Sequence, residues 1–235
     1  MSNYEHSEAT LTSARDADVL SAFLRGVYGW MCAGLAITAA TAWTVASSPS
    51  IAAAIFSNRL IFWAVVIAQF GIVITLSARV QKLSGSAASA LFIVYSALTG
   101  VTLSSVLLLY TGESVASTFV VAGGMFGALA LYGTVTRRDL GAFGQFFFMG
   151  LIGLVLASVI GVFWHNDGLQ FMISFVGVLV FSGLTVYDAQ RLKAMAFASD
   201  GAPTSAVTVV GALVLYLDFI NLFLFLLRFL GGRRK

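Results

Sequence analysis

Two aspartates sit where a carboxylate is expensive. Asp188 lies in GLTVYDAQRLK and Asp218 in LYLDFINLFLFLLRFL, both inside long apolar stretches, while every other acid falls in the polar head or in a connection. A carboxylate in hydrocarbon costs on the order of 3 kcal/mol or more, so such a group generally has a partner, a water-filled cavity or a proton. If the two segments are neighbouring helices, the carboxyls can approach to hydrogen-bonding distance, where both cannot ionise and one proton is shared. Such a pair responds to pH, neutral and closed when acid, anionic and cation-attracting as the pH rises. At 100° per residue, Asn221 and Arg228 follow Asp218 by three and ten positions on roughly the same side, giving that helix a polar stripe. The plainer alternative pairs Asp188 with Arg191 or Lys193 at the membrane edge and Asp218 with Asn221 or a tyrosine.

The rest of the inventory narrows the chemistry. Ca²⁺ takes six to eight oxygens, and Asp188, Asp218, Asn221, tyrosine hydroxyls and water supply only a loose, partly hydrated metal site, suited to a passing ion. His6 belongs to the head and His165 to a connection, so no zinc site or histidine-based triad is expected in the membrane. Cys32 is the single cysteine and is read as packing. Gly-rich phosphate motifs are absent, and no cofactor is expected. Basic residues are scattered beside the apolar runs, which argues against a nucleic-acid surface despite the net charge of +3.

These residues need a membrane bundle to position them. Charged residues are 10% and apolar residues 59% of the chain, and the mean hydropathy is +0.95; a soluble domain has about a quarter of its residues charged. At roughly 20 apolar residues per crossing, the 235 residues suit six or seven spans. Both prolines, Pro49 and Pro203, fall between apolar runs, so the spans are expected to be unbroken helices and the fold all-α. Apolar runs predict spans over 26–46, 60–78, 87–110, 114–135, 143–163, 169–190 and 206–228, with short connections except 191–205. The domain reading is a flexible polar head at 1–24, one helical domain at 25–230 and a basic tail at 231–235. The lipid bilayer is thus the first partner.

With seven spans, Arg15, Arg25, Arg79, Lys82, Arg137, Arg138, Arg191 and Lys193 fall on one side, which places the N-terminus in the cytoplasm. Small residues at helical spacing, Gly123 with Gly127, Gly150 with Gly153, and Ser96, Gly100 and Ser104, predict close helix packing.

Taken together, VYGWMCAGL, YSALTGVTLSS, STFVVAGGMFGALALYG, TRRDLGAFG, GLTVYDAQRLK and LYLDFINLFLFLLRFLGG resemble the transmembrane BAX inhibitor motif family, specifically its bacterial inner-membrane branch. The resemblance implies a seven-helix bundle with the last helix central, and a pH-sensitive calcium leak whose paired aspartates, matched by Asp188 and Asp218, are proton sensor and latch. It further implies an arginine near the cytoplasmic end of the second span that engages the pair, for which Arg79 is the nearest candidate. Where some relatives carry a pore acid in that span, this chain has Gln69, which keeps an oxygen and removes a charge. Two other functions compete with the leak. Tyr187-Asp188 and Asp218 resemble the two-aspartate plan of intramembrane aspartyl proteases, although Leu215-Tyr216-Leu217-Asp218 departs from their Gly-x-Gly-Asp motif. A regulatory protein that binds a membrane protease or assembly factor would dock it on residues 1–24 or on the Gly-rich fourth span.

Overall fold

A computed structural model describes the backbone of residues 2–164, 166–197, 203–232 and 234, and the side chains from residue 17 onward within these, save that of residue 162. Among the described residues eight helices follow one another: α1 Ser2–Ala46, α2 Pro49–Ser57, α3 Arg59–Ala78, α4 Gly85–Leu109, α5 Gly112–Val135, α6 Gly141–Phe163, α7 Asp167–Phe197 and α8 Ser205–Leu230. Seven of them, all but α2, are long and apolar enough to cross a membrane. The described chain is thus an all-α polytopic bundle.

Most predicted spans end within two residues of the observed helices, and the differences fall at three places. The short α2 occupies the first connection, where Pro49 opens a helical turn and Ile51 to Phe56 supply an apolar face. Helix α1 begins at Ser2 rather than near 26, and Phe23, which the domain reading placed in the head, is 4% exposed and packs in the core beside Leu20 and Leu24. Helix α7 continues past 190 to Phe197, because Leu192 and Ala196 still have core to bury against.

Helix α8 is the axis of the bundle. Of the residues in its apolar stretch 72% are buried, against 6 to 39% in the other spans, and it packs on α1, α4, α5 and α7. Because lipid tails are as apolar as leucine, contact shape and hydrogen bonds hold such helices together. One such knot joins three of them: the Thr38 hydroxyl of α1 donates to Ser96 O of α4 at 2.9 Å, so the Tyr216 hydroxyl of α8, 2.6 Å away, donates to Thr38. Helix α3 lies outermost, against α2 and α4, and α6 packs on α7 rather than on α8.

The small-residue prediction divides. Ser96 and Ser104 are buried, and Gly100 lets α4 close on α1, the Thr38 carbonyl oxygen lying 2.6 Å from where a side chain would begin. Gly150 touches Val180, but Gly123, Gly127 and Gly153 meet nothing within 4 Å. Helical spacing identifies a shared face; it does not supply a neighbour for that face.

Candidate functional site

Between α3 and α6 a stripe of α8 is left uncovered, and a cavity of about 560 Å³ opens there. Its walls bring together Asp188 and Arg191 of α7, Asp218 and Asn221 of α8, and Gln69 of α3. Asp188 stands nine residues before Phe197 and Asp218 thirteen after Ser205. At about 1.5 Å per residue those depths differ by roughly one helical turn, and the extension of α7 past 190 is what brings the pair level enough to meet. The two carboxyls lie within hydrogen-bonding reach of each other, with the Arg191 guanidinium beside Asp188.

Burial makes this pairing consequential. Asp218 is 5% exposed, and among the described residues no donor reaches its Oδ2. A buried acceptor without a donor is costly, and a proton on the second carboxyl is the donor that would relieve it. Asp188 is only partly buried and lines the cavity, so its carboxyl is within reach of water.

The neutral side chains of the wall have oxygens to offer. Gln69 donates its Nε2 to Leu98 O at 2.9 Å and, at 3.4 Å, to Thr102 Oγ1, which leaves its Oε1 as an acceptor. Asn221 donates Nδ2 back to Leu217 O at 2.8 Å, which frees its Oδ1 in the same way. Tyr95 and Tyr187 add ring edges and hydroxyls to the wall. The cavity thus gathers two carboxyls and two amide side chains, and among the described residues no three His, Cys, Asp or Glu side chains converge.

The frame of the site comes from the residues flanking Asp188. The Tyr187 ring lies where a side chain on Gly144 would have to go, so the glycine lets α6 approach α7. Gln190 clasps the α5–α6 connection, accepting from Leu140 N at 3.0 Å and donating to Arg138 O at 2.7 Å. One turn of α7 thus carries the carboxyl, its cation and both anchors.

Arg79, the sequence candidate for engaging the pair, is placed elsewhere. It is the exposed C-cap residue of α3 and does not line the cavity, whereas Arg191 does. Spacing along α7 offered the signal: Arg191 follows Asp188 by three positions, nearly one turn. Tyr95, in the apolar run FIVYSALTG, carried a weaker one, because a tyrosine deep in a span needs a polar surrounding. His165 lies outside the described residues, as does the side chain of His6.

Fold and site together define a polytopic helical membrane protein with a carboxyl pair in a cavity beside its central helix. The sequence pattern of the family described as "Inhibitor of apoptosis-promoting Bax1" matches residues 20–235, and the chain belongs to that family. It is 50% identical over 218 residues to the inner membrane protein YbhL of Escherichia coli strain K12, covering 92% of this chain and 93% of that one. A protein of Borreliella burgdorferi is 45% identical, covering 91% and 93% of the two chains, and one of Deinococcus radiodurans is 40% identical, covering 97% of each.

Proposed function

We propose that this protein is a pH-gated cation leak with calcium as the ion, set in a bacterial inner membrane with its N-terminus in the cytoplasm. The observation that carries the reading is that buried Asp218, one oxygen of which has no donor among the described residues, lies within reach of the Asp188 carboxyl on the neighbouring helix. With one proton between them the carboxyls are joined and α7 is latched to the central helix. Loss of that proton as the pH rises leaves two like charges in a poorly polarisable setting, which repel. The pair then separates, Arg191 follows Asp188, and the cavity becomes an anionic site whose remaining ligands are the Gln69 and Asn221 oxygens. Arg191 thereby takes the role that the resemblance suggested for Arg79. Past Asn221 the cavity adjoins further space between α6, α7 and α8 that reaches Arg228, and the ion's route runs along this stripe of α8. The E. coli relative's inner-membrane name supports the location.

The test is calcium uptake into proteoliposomes across about pH 6 to 8, comparing parent protein with Asp218→Asn and Asp188→Asn. Asparagine keeps size and hydrogen bonding but does not titrate. The parent flux is expected to rise with pH and each variant to lose that dependence; an unchanged profile in both variants would sink the latch. Absence of flux from folded parent protein would favour the regulatory reading, in which the exposed Gly123 and Gly127 face of α5 receives a membrane protease or assembly factor.

A further inference from the structure

At the end of the bundle opposite Arg191, a cavity of about 460 Å³ lies between α6, α7 and α8, and Ser158, Gln170, Asn221 and Arg228 give it a polar wall. Towards the membrane middle it adjoins an apolar groove of about 350 Å³ between Leu151 and Val155 of α6, Phe181 of α7 and Phe225 of α8. Ser158, Asn221 and Phe225 belong to both, so polar head space and apolar slot are one continuous hollow. Val155 is 54% and Val159 53% exposed, and both line the groove, so it opens sideways onto lipid.

Among the described residues no acidic side chain lines the polar end. Arg228, exposed in the last turn of α8, has the Phe225 ring at 5.7 Å as its one close partner among the described residues, and Asp167 at the same end of α7 does not line the cavity. Gln170 Nε2 spends one weak hydrogen bond of 3.4 Å on Gly161 O and has a second hydrogen to give. An arginine fork beside an amide donor, at headgroup depth, matches the oxygens of a phosphate. Immediately below, an apolar slot open to hydrocarbon excludes water and matches an acyl chain.

We propose that this hollow binds one phospholipid of the leaflet at that end, with its phosphate on Arg228 and Gln170 and one acyl chain lying in the groove as far as Asn221. Charge complementarity selects the headgroup and the adjoining apolar slot selects an amphiphile over a free anion. The site stands independently of any ion flux, and it carries a consequence for one: a seated chain fills the half of the α8 stripe beyond Asn221.

Native mass spectrometry of the full-length protein with phosphatidylglycerol tests it, using the parent, Arg228→Gln, Arg228→Lys and Val155→Trp. Val155→Trp faces lipid and fills the slot without touching the arginine. One retained lipid is expected in the parent, weakened about tenfold in Arg228→Gln and in Val155→Trp, with Arg228→Lys between, because lysine keeps the charge but loses the fork. Retention at the parent level in Arg228→Gln and Val155→Trp overturns the site. So does loss in Arg228→Gln alone accompanied by displacement with inorganic phosphate, which would mark a bare anion site with no chain in the groove.

Discussion

At the scale of single residues, half of the oxygen donors that the proposed cation site would use are neutral amides. Gln69 holds α3 to α4 through its amide hydrogens and lines the cavity, so in the proposed site one side chain would be both clamp and ligand. Gln69→Glu separates the two roles. The carboxylate cannot donate, so Leu98 O loses its partner at a cost of about 1 kcal/mol, while a third acid in the cavity raises cation affinity as ligand charge does in other calcium sites. The expected result is a slightly less stable protein whose half-saturating calcium concentration for uptake falls about tenfold. Lowered stability with unchanged half-saturation would leave Gln69 a clamp only. Tyr216→Phe tests packing in isolation: it removes the donor to Thr38 without stranding another donor, because Thr38 still gives its own hydrogen to Ser96 O. Unfolding in detergent should become easier by about 0.5 to 1 kcal/mol, with the pH profile of flux unmoved.

At the scale of helices, Gly100 and Gly127 are predicted to part company. Gly100→Val drives a branched side chain into the Thr38 backbone and should cost several kcal/mol or prevent assembly, whereas Gly127→Val faces open space and should change unfolding by less than about 0.5 kcal/mol. Equal effects of the two on thermal unfolding would contradict the helix order. The same contrast shows what the sequence made legible. Seven spans followed from apolar length alone, and Asp188 and Asp218 stood out because charge is rare there. Neighbour relations were less accessible: Gly123 and Gly127 share the spacing of Ser96, Gly100 and Ser104, yet only the second set meets another helix. Arg79 sits at the right end of the second span, but α3 is held to α4 and Arg79 does not line the cavity that holds the pair. Which arginine accompanies the pair depended on how far α7 runs, and apolarity falls off at Gln190 while the helix and its buried residues continue to Phe197.

For the whole molecule, the decisive asymmetry is the position of the pair between the two ends of α8. Short connections place Arg79, Lys82, Arg137, Arg138, Arg191 and Lys193 at one end of the bundle, which is the cytoplasmic end in the topology proposed above. Cysteines introduced at Ser84 and at Ser47 in a Cys32→Ser background should therefore be labelled by an impermeant reagent from the cytoplasm and from outside, respectively. Asp188 opens to the cavity beside Arg191, on the basic side, whereas the opposite half of the stripe narrows through the apolar groove towards Arg228. Protons should then reach the pair from the cytoplasmic side. In proteoliposomes of uniform orientation, with each face buffered separately, calcium flux should follow the pH bathing the Arg191 end and stay nearly constant when only the Arg228 end is changed. Control by the Arg228 side would require water to pass the groove between Val155 and Phe181 while the pair is still joined, and would place the barrier on the wrong side of the carboxyls for the latch described above.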